Sequence, residues 1–224
     1  MRQWPHAPTI AHLVFLDHQE LPSATAVADA VDHARARGAR AIRTSALFPD
    51  AAEILMSADF EPIDRLALLA IDLDDGVVER LGDHEHAIRP LRRWMHARAA
   101  DVDVDAFGPM WGNDAAGLRE IRAATPVHQA RYIGDARRIA GFAVSGAAAG
   151  NGYVQRVAVA SAERRRGVAR ALVIDALRWI HDGGRRRALV NTGVSNAAAL
   201  GLYEQLGFRR LDDVLTIAER RLGG

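Results

Sequence analysis

The sequence predicts a mixed α/β fold of the α+β kind, a sheet flanked by helices with a second, smaller unit at the N-terminus. Three observations carry this. The final third alternates between strand and helix patterns, a hairpin signal joins two of its strands, and residues 1–73 run through a matching order of elements.

Taken in order, Val27, Ala30, Val31 and Ala34 form an apolar stripe at helical spacing that ends at Gly38. "RAIRTSA" (40–46) reads as a strand. Ala51, Ile54, Leu55 and Ala58 repeat the i, i+3, i+4, i+7 stripe, and "RLALLAIDL" (65–73) is a further strand. "DDGVVERLGDHEH" (74–86) is polar and reads as a connection, which divides the chain into 1–80, a linker at 81–86, and 87–224. "HAIRPL" begins a strand, and as strand "HEH" (84–86) would put His84 and His86 on one face. Two histidines without a third ligand make a poor metal site and a linker is the better reading, so no metal is expected.

The next stretch is helical and loop-like by turns, and "VHQARYIG" (127–134) is a strand. Gly150-Asn151-Gly152 is a hairpin turn joining "RIAGFAVSG" (138–146) to "YVQRVAV" (153–159). "RRRGVARALVIDALRWIHDGG" (164–184) follows, in which Ala169, Leu172, Val173, Ala176 and Ile180 form an apolar stripe at helical spacing that Gly183-Gly184 stops. "RRALVNT" (186–192) is a strand. Asn196 is placed as an N-cap to the stripe Ala199, Leu202, Tyr203 and Leu206, Gly207 as the left-handed residue after it, and "LDDVLTIAE" as the closing strand. This last helix aligns without a gap on 53–64, with Phe60 on Phe208, Leu55 on Tyr203 and Asp59 on Gly207. The order of elements is thus repeated.

Composition narrows the chemistry. Of 224 residues 49% are apolar and 25% charged, an ordinary globular balance, and a net charge of +1 gives no global attraction to nucleic acid or anionic membrane. No apolar run approaches the ~20 residues that span a bilayer. Pro5, His6 and Pro8 interrupt the start, so no signal peptide is read and a cytoplasmic protein is expected. Cysteine is absent, which removes thiol nucleophiles and disulfides. Lysine is absent too, which removes Schiff-base chemistry and the lysine of a Walker A loop. An arginine-only, alanine-rich composition points to a GC-rich bacterial genome.

The sharpest motif is "VAVASAERRRGVARAL" (157–172): strand, short connection, arginine-rich turn, helix. Such a turn exposes consecutive backbone N–H groups at the positive end of a helix, which suits a pyrophosphate. Gly167 allows close approach, Ala169 keeps the first helical turn narrow, and Arg165, Arg166 and Arg170 can add charge. The motif is neither G-x-G-x-x-G nor G-x-x-x-x-G-K-[ST].

Arg164-x-x-Gly167-x-Ala169 after a β-branched strand resembles the acetyl-CoA pyrophosphate loop of the GCN5-related N-acetyltransferase (GNAT) superfamily. The superfamily's second signature, Asn-x-x-Ala-x-x-Leu-Tyr-x-x-x-Gly-Phe, is matched by Asn196, Ala199, Leu202, Tyr203, Gly207 and Phe208. The similarity covers roughly 87–224. It implies a mostly antiparallel central sheet and a strand that splays from its neighbour, leaving the backbone of Val157, Ala158 and Val159 to pair with pantetheine. It also implies a pyrophosphate cradle from Arg164, Arg165, Arg166, Gly167, Val168, Ala169 and Arg170. Asn196 is a helix cap, a pantetheine contact or both. Tyr203 becomes the general acid for the departing thiolate, since a phenol of pKa about 10 stays protonated at neutral pH.

The expected function is therefore an acetyl-CoA-dependent N-acetyltransferase that acts on a primary amine, on a small molecule or a protein N-terminus, by direct attack in a ternary complex. A catalytically silent acyl-CoA-binding regulatory protein is the alternative. Its support is the strand before the loop, which carries no Asp or Glu where many relatives hold a base. Tyr153 and Gln155 share a face there and could order a water; Asp101, Asp103, Asp105 and His128 are other candidates, the aspartates read as solvated loop residues. Phe107, Met110 and Trp111 either line the acceptor pocket or anchor a loop. A monomer or homodimer is expected, with no nucleic-acid or membrane partner. In the first copy "QELPSA" (19–24) replaces the arginine turn, where Pro22 lacks an N–H and Glu20 would repel phosphate, while Phe48 and Leu55 stand at the places of Asn196 and Tyr203. It resembles the C-terminal half of the fold without its coenzyme site.

Overall fold

The computed structural model describes residues 2–15, 21–135 and 137–223. In chain order the elements are β1 Arg2–Trp4, β2 Ala7–Leu13, α1 Ala24–Ala36, β3 Ala41–Thr44, α2 Pro49–Met56, β4 Glu61–Asp72, α3 Asp75–Arg80, β5 Ile88–Pro90, α4 His96–Trp111, α5 Ala115–Ala123, β6 Val127–Gly134, β7 Ile139–Ala148, β8 Asn151–Val159, α6 Val168–Asp182, β9 Arg187–Gly193, α7 Ala197–Gln205 and β10 Arg209–Arg221. The chain forms two compact units, one of Met1–Leu68, Asn191–Leu200 and Arg210–Gly224, the other of Leu69–Val190 and Gly201–Arg209.

In the first unit, Ser23 caps α1 by accepting the Ala26 N–H at 3.1 Å. Val27, Val31 and Ala34 of that helix bury against Ile42 of β3, Leu55 of α2, Phe60 and Ala218. β2 pairs with β3 in parallel, and β1 on β2 and β10 on β3 antiparallel. Arg43 and Glu219, opposite each other on β3 and β10, form an ion pair with contacts of 2.9 and 2.6 Å. α2 is capped by Phe48 without a side-chain bond. Asp59 ends it at φ 60°, and Phe60 N–H donates to Leu55 O. Gln19 and Glu20 lie outside the described residues.

In the second unit, β5, β6, β7 and β8 form an antiparallel run, so this sheet is mixed and mostly antiparallel, as expected. Alternate residues of β7 serve two cores. Phe142 and Val144 pack with Met95, just before α4, and with Ala99, Val102 and Leu118 of the α4–α5 layer, while Ala143 packs with Val168, Ala171 and Leu172 of α6. The tight Gly150 turn, at φ 79°, is the expected hairpin. Gly152 is required because a Cβ there would meet Ile180 of α6 at 2.2 Å.

One expected feature differs. The connection at 74–86 contains a short helix, α3, because Asp74 caps it by accepting the Val77 N–H at 2.7 Å. His84 and His86 lie after that helix and before β5. Their run is polar and has no β-branched residue, and its hydrogen bonds go to α6 and the turn before it instead of to a ladder.

Candidate functional site

β8 carries the first part of the site. Within the second unit it pairs in parallel with β9 at Gly152–Ala188 and Tyr153–Leu189. On its other edge β8 stays bonded to β7, through Val157–Ala143, Ala158–Phe142 and Val159–Gly141. The register shifts between Val144 and Ser145, which leaves Gln155 as an extra residue. Such a bulge breaks the period of two. Gln155, near Gly146 and Thr125, and Arg156, bonded to α4, both face the α4–α5 layer. Val157 and Val159 then turn to the α6 core, while Ala158 packs with the α4 layer. Nothing in the alternation of residue types signals this shift.

The strand leads into a short 3-10 turn at Ser161–Glu163 and then the arginine turn. Arg165 and Gly167 both adopt left-handed backbone, at φ 64° and 76°, on either side of Arg166. Glycine holds such a φ without strain; arginine does so uncommonly. Gly167 is the N-cap of α6, and the first bond inside the helix runs from Ala171 N–H to Gly167 O at 2.9 Å. The N–H groups of Val168, Ala169 and Arg170 therefore have no acceptor within the helix and stand at its positive end. That arrangement accepts an anion.

The arginines are committed differently. Arg165 is exposed, and Arg166 pairs with Glu163 at 3.1 Å. Arg164 donates to Ala106 O at 3.3 Å, and Arg170 to Leu81 O at 3.2 Å. His86 lies beside the turn. Its Nε2 is 2.8 Å from Arg166 O, and since a carbonyl can only accept, that nitrogen carries the proton.

Asn196, in the first unit, caps α7 by accepting the Ala199 N–H at 3.2 Å, and its amide donates to Thr192 Oγ1 at 3.2 Å. Tyr203, in the second unit, is 6% exposed and meets Phe208 edge-on at 5.4 Å between centroids. Burial pushes its phenol up to about 12, so it is neutral at any physiological pH. Gly207 ends the helix at φ 96°, and Phe208 N–H donates to Tyr203 O. This is the same closure that Phe60 makes on Leu55 after α2.

The candidate bases are largely spoken for. The segment expected as loop is helix α4, and Asp103 within it is fully buried rather than solvated. Ala99, Ala100 and Val102 supply the apolar face that the Asp-Val-Asp-Val alternation hid. Asp103 accepts from Arg156 Nε and Nη2 at 2.8 and 2.7 Å, and from Asn113 N and Nδ2 at 2.6 and 3.1 Å. Three of these bonds converge on Oδ2 and one on Oδ1, so the enclosed carboxylate is committed to Arg156 and Asn113. Asp105 accepts the Ser161 N–H at 2.6 Å, and that bond holds its pKa below the usual carboxylate value, which weakens it as a base. His128 Nδ1 sits 3.2 Å from Thr125 O. Asp101 is exposed. Phe107 covers the Arg156 guanidinium at 3.6 Å, and Arg156 also donates to Trp111 O at 2.8 Å. The Phe107–Trp111 cluster is thereby anchored, with Met110 exposed. Among the described residues no three His, Asp or Glu side chains group to hold a metal, and no helix is long and apolar enough to cross a membrane.

Comparison with known proteins adds a family. The model of the Acetyltransferase (GNAT) family matches residues 97–208. No curated protein matches the sequence. A GCN5-related N-acetyltransferase from Sphaerobacter thermophilus is similar in structure at TM-score 0.56 and 20% identity, over 82% of this chain and 61% of its own; this chain thus spans under two thirds of that protein. A GCN5-related N-acetyltransferase from Kribbella flavida matches at TM-score 0.63 and 18% identity, over 95% and 82%. A tandem GNAT protein from the clavulanic acid biosynthesis pathway matches at 0.65 and 13%, over 89% and 70%.

Proposed function

This chain belongs to the GNAT acetyltransferase family, and from that premise we propose that it transfers an acetyl group from acetyl-CoA to a primary amine, on a small molecule or a protein N-terminus. The observation that carries the reading is β8 running into a turn with two left-handed residues, Arg165 and Gly167, at the start of α6. On the edge of β8 away from β7, Val157, Ala158 and Val159 offer backbone groups to the pantetheine amides. The N–H groups from Arg165 to Arg170 receive the pyrophosphate, with Arg165 and Arg166 adding charge.

In the reaction the amine nitrogen attacks the thioester carbon, and the carbon–sulfur bond breaks as the tetrahedral intermediate collapses. Tyr203 gives its proton to the leaving sulfur, and the proton lost by the amine passes to solvent and restores the phenol. The burial that keeps Tyr203 protonated also makes that proton costly to release. Transfer to sulfur therefore comes late, as negative charge develops there. Asp103 and Asp105 are held by other donors, so the amine arrives unprotonated or loses its proton through water. The same two observations favour the second reading, a silent binder of acyl-CoA.

The first unit is read as a partial repeat of the same scaffold. Support comes from the shared closure at Asp59 and Gly207 and from the tandem relative. The protein is read as cytoplasmic, and as a monomer or homodimer.

The test is a thermal-shift titration with acetyl-CoA followed by a screen of primary amines for thiol release. Stabilisation together with turnover supports the enzyme. Stabilisation without turnover of any amine or N-terminal peptide supports the silent binder, and no stabilisation removes both readings.

A further inference from the structure

The stretch at 81–86 was legible only as a polar connection, yet it is bonded along α6 at three levels. Arg178 donates to Gly82 O at 2.8 Å and to Asp83 Oδ1 at 3.1 Å. Arg170 donates to Leu81 O at 3.2 Å. At the end of the helix where the arginine turn begins, His86 Nε2 donates to Arg166 O at 2.8 Å. The first two contacts tie the segment to the helix. The third ties it to the turn itself.

What His86 does there follows from peptide geometry. The peptide joining Arg166 and Gly167 is trans, so its carbonyl and its N–H point in opposite directions. Holding Arg166 O towards the imidazole therefore aims the Gly167 N–H away from it. That N–H leads the series that continues through Val168, Ala169 and Arg170. The peptide lies between two left-handed residues, Arg165 and Gly167, and Arg165 gains nothing from that conformation by itself. Gly167 has room as well as freedom: the nearest atom to a Cβ there is His86 Nε2, at 3.5 Å. A turn of this shape needs something outside it to fix the central peptide.

We propose that His86 is a positioning residue for the phosphate turn: it orients the Arg166–Gly167 peptide so that the Gly167 N–H is presented to the pyrophosphate of the coenzyme. The inference rests on the reading of this turn as a coenzyme A site. His86 does not touch the reacting atoms. Its contribution is confined to the phosphate half of the ligand, which separates it from a general role in folding.

The experiment measures affinity by calorimetry for two probes, coenzyme A and pantetheine, which lacks the pyrophosphate and nucleotide. Wild type is compared with His86→Phe, which keeps a ring but no donor, and His86→Gln, whose amide nitrogen can reach the place of Nε2. His86→Phe is expected to weaken coenzyme A about tenfold, the scale of one hydrogen bond, and to leave pantetheine within about twofold. His86→Gln is expected to recover most of the loss. If coenzyme A binds wild type and His86→Phe equally, or if both probes weaken together, His86 is not a positioning residue. If wild type does not bind coenzyme A, the reading of the site fails and takes the inference with it. A His86→Phe protein that fails to fold leaves His86→Asn to decide, since that amide is too short to reach Arg166 O and should lose affinity as Phe would.

Discussion

Asp103 of α4 and Arg156 of β8 form a buried ion pair joined by two hydrogen bonds, at 2.8 and 2.7 Å. Asp103 is wholly enclosed, and the same pair holds Asn113 and the Trp111 carbonyl. It fixes the end of α4, where Gly108 at φ 75° and Pro109 break the helix, against the bulged part of β8. Asp103→Ala strands the Arg156 cation and should cost about 3–5 kcal/mol, read from denaturant midpoints. Asp103→Leu with Arg156→Met should recover much of that loss. A base would behave otherwise: Asp103→Asn would then remove activity at unchanged stability.

Tyr203→Phe keeps the ring that meets Phe208 and removes only the hydroxyl. We expect the turnover of an identified amine to fall about 10²–10³-fold, with coenzyme affinity within about twofold. Because burial raises the phenol to about 12, the wild-type rate should show no alkaline fall from Tyr203 below pH 11. A pH–rate series on both proteins measures this.

Gly167→Ala places a Cβ in ordinary contact with His86 but forces a φ of 76° on an L-residue. The conformational cost is about 1 kcal/mol, enough to let the turn relax to another shape. Coenzyme affinity should fall by about tenfold or more, while the circular dichroism of α6 is unchanged. Calorimetry and spectra test the two halves separately.

His96 is buried, and burial first, then Arg122, Arg119 and Arg93, lowers its pKa below 6.5. The unfolded chain therefore takes up this proton at higher pH than the folded one. Stability is fully present above about pH 6.5 and is lost progressively as pH falls through the unfolded value towards the folded one. The melting temperature should decline as pH falls below about 6.5, and His96→Gln should flatten that slope.

Much of the site was legible because its signals are local. The turn before α6, the cap Asn196 and the closure at Gly207 each depend on a few adjacent residues whose backbone demands are written in residue type. Helix α4 was partly hidden. The alternating Asp-Val-Asp-Val run imitates solvated loop, and only the packing of Ala99, Ala100 and Val102 against Phe142 and Val144 gives it a buried face. The bulge at Gln155 had no signal at all, since any residue type can occupy it.

By itself the sequence determined the order of strands and helices, the hairpin at Gly150, the arginine turn before α6 and the place of Tyr203 on the apolar stripe of α7. Each follows from periodicity, from a positive φ that glycine meets cheaply, or from the first unbonded N–H groups of a helix. Tertiary structure alone decided which polar groups are already committed. Asp103 is spent on Arg156, Asp105 on Ser161 and Arg170 on Leu81, and His86 is brought to Arg166 across 80 residues of chain. Such pairings depend on which surfaces meet after folding, because a polar group takes whatever partner the packing brings within hydrogen-bond distance.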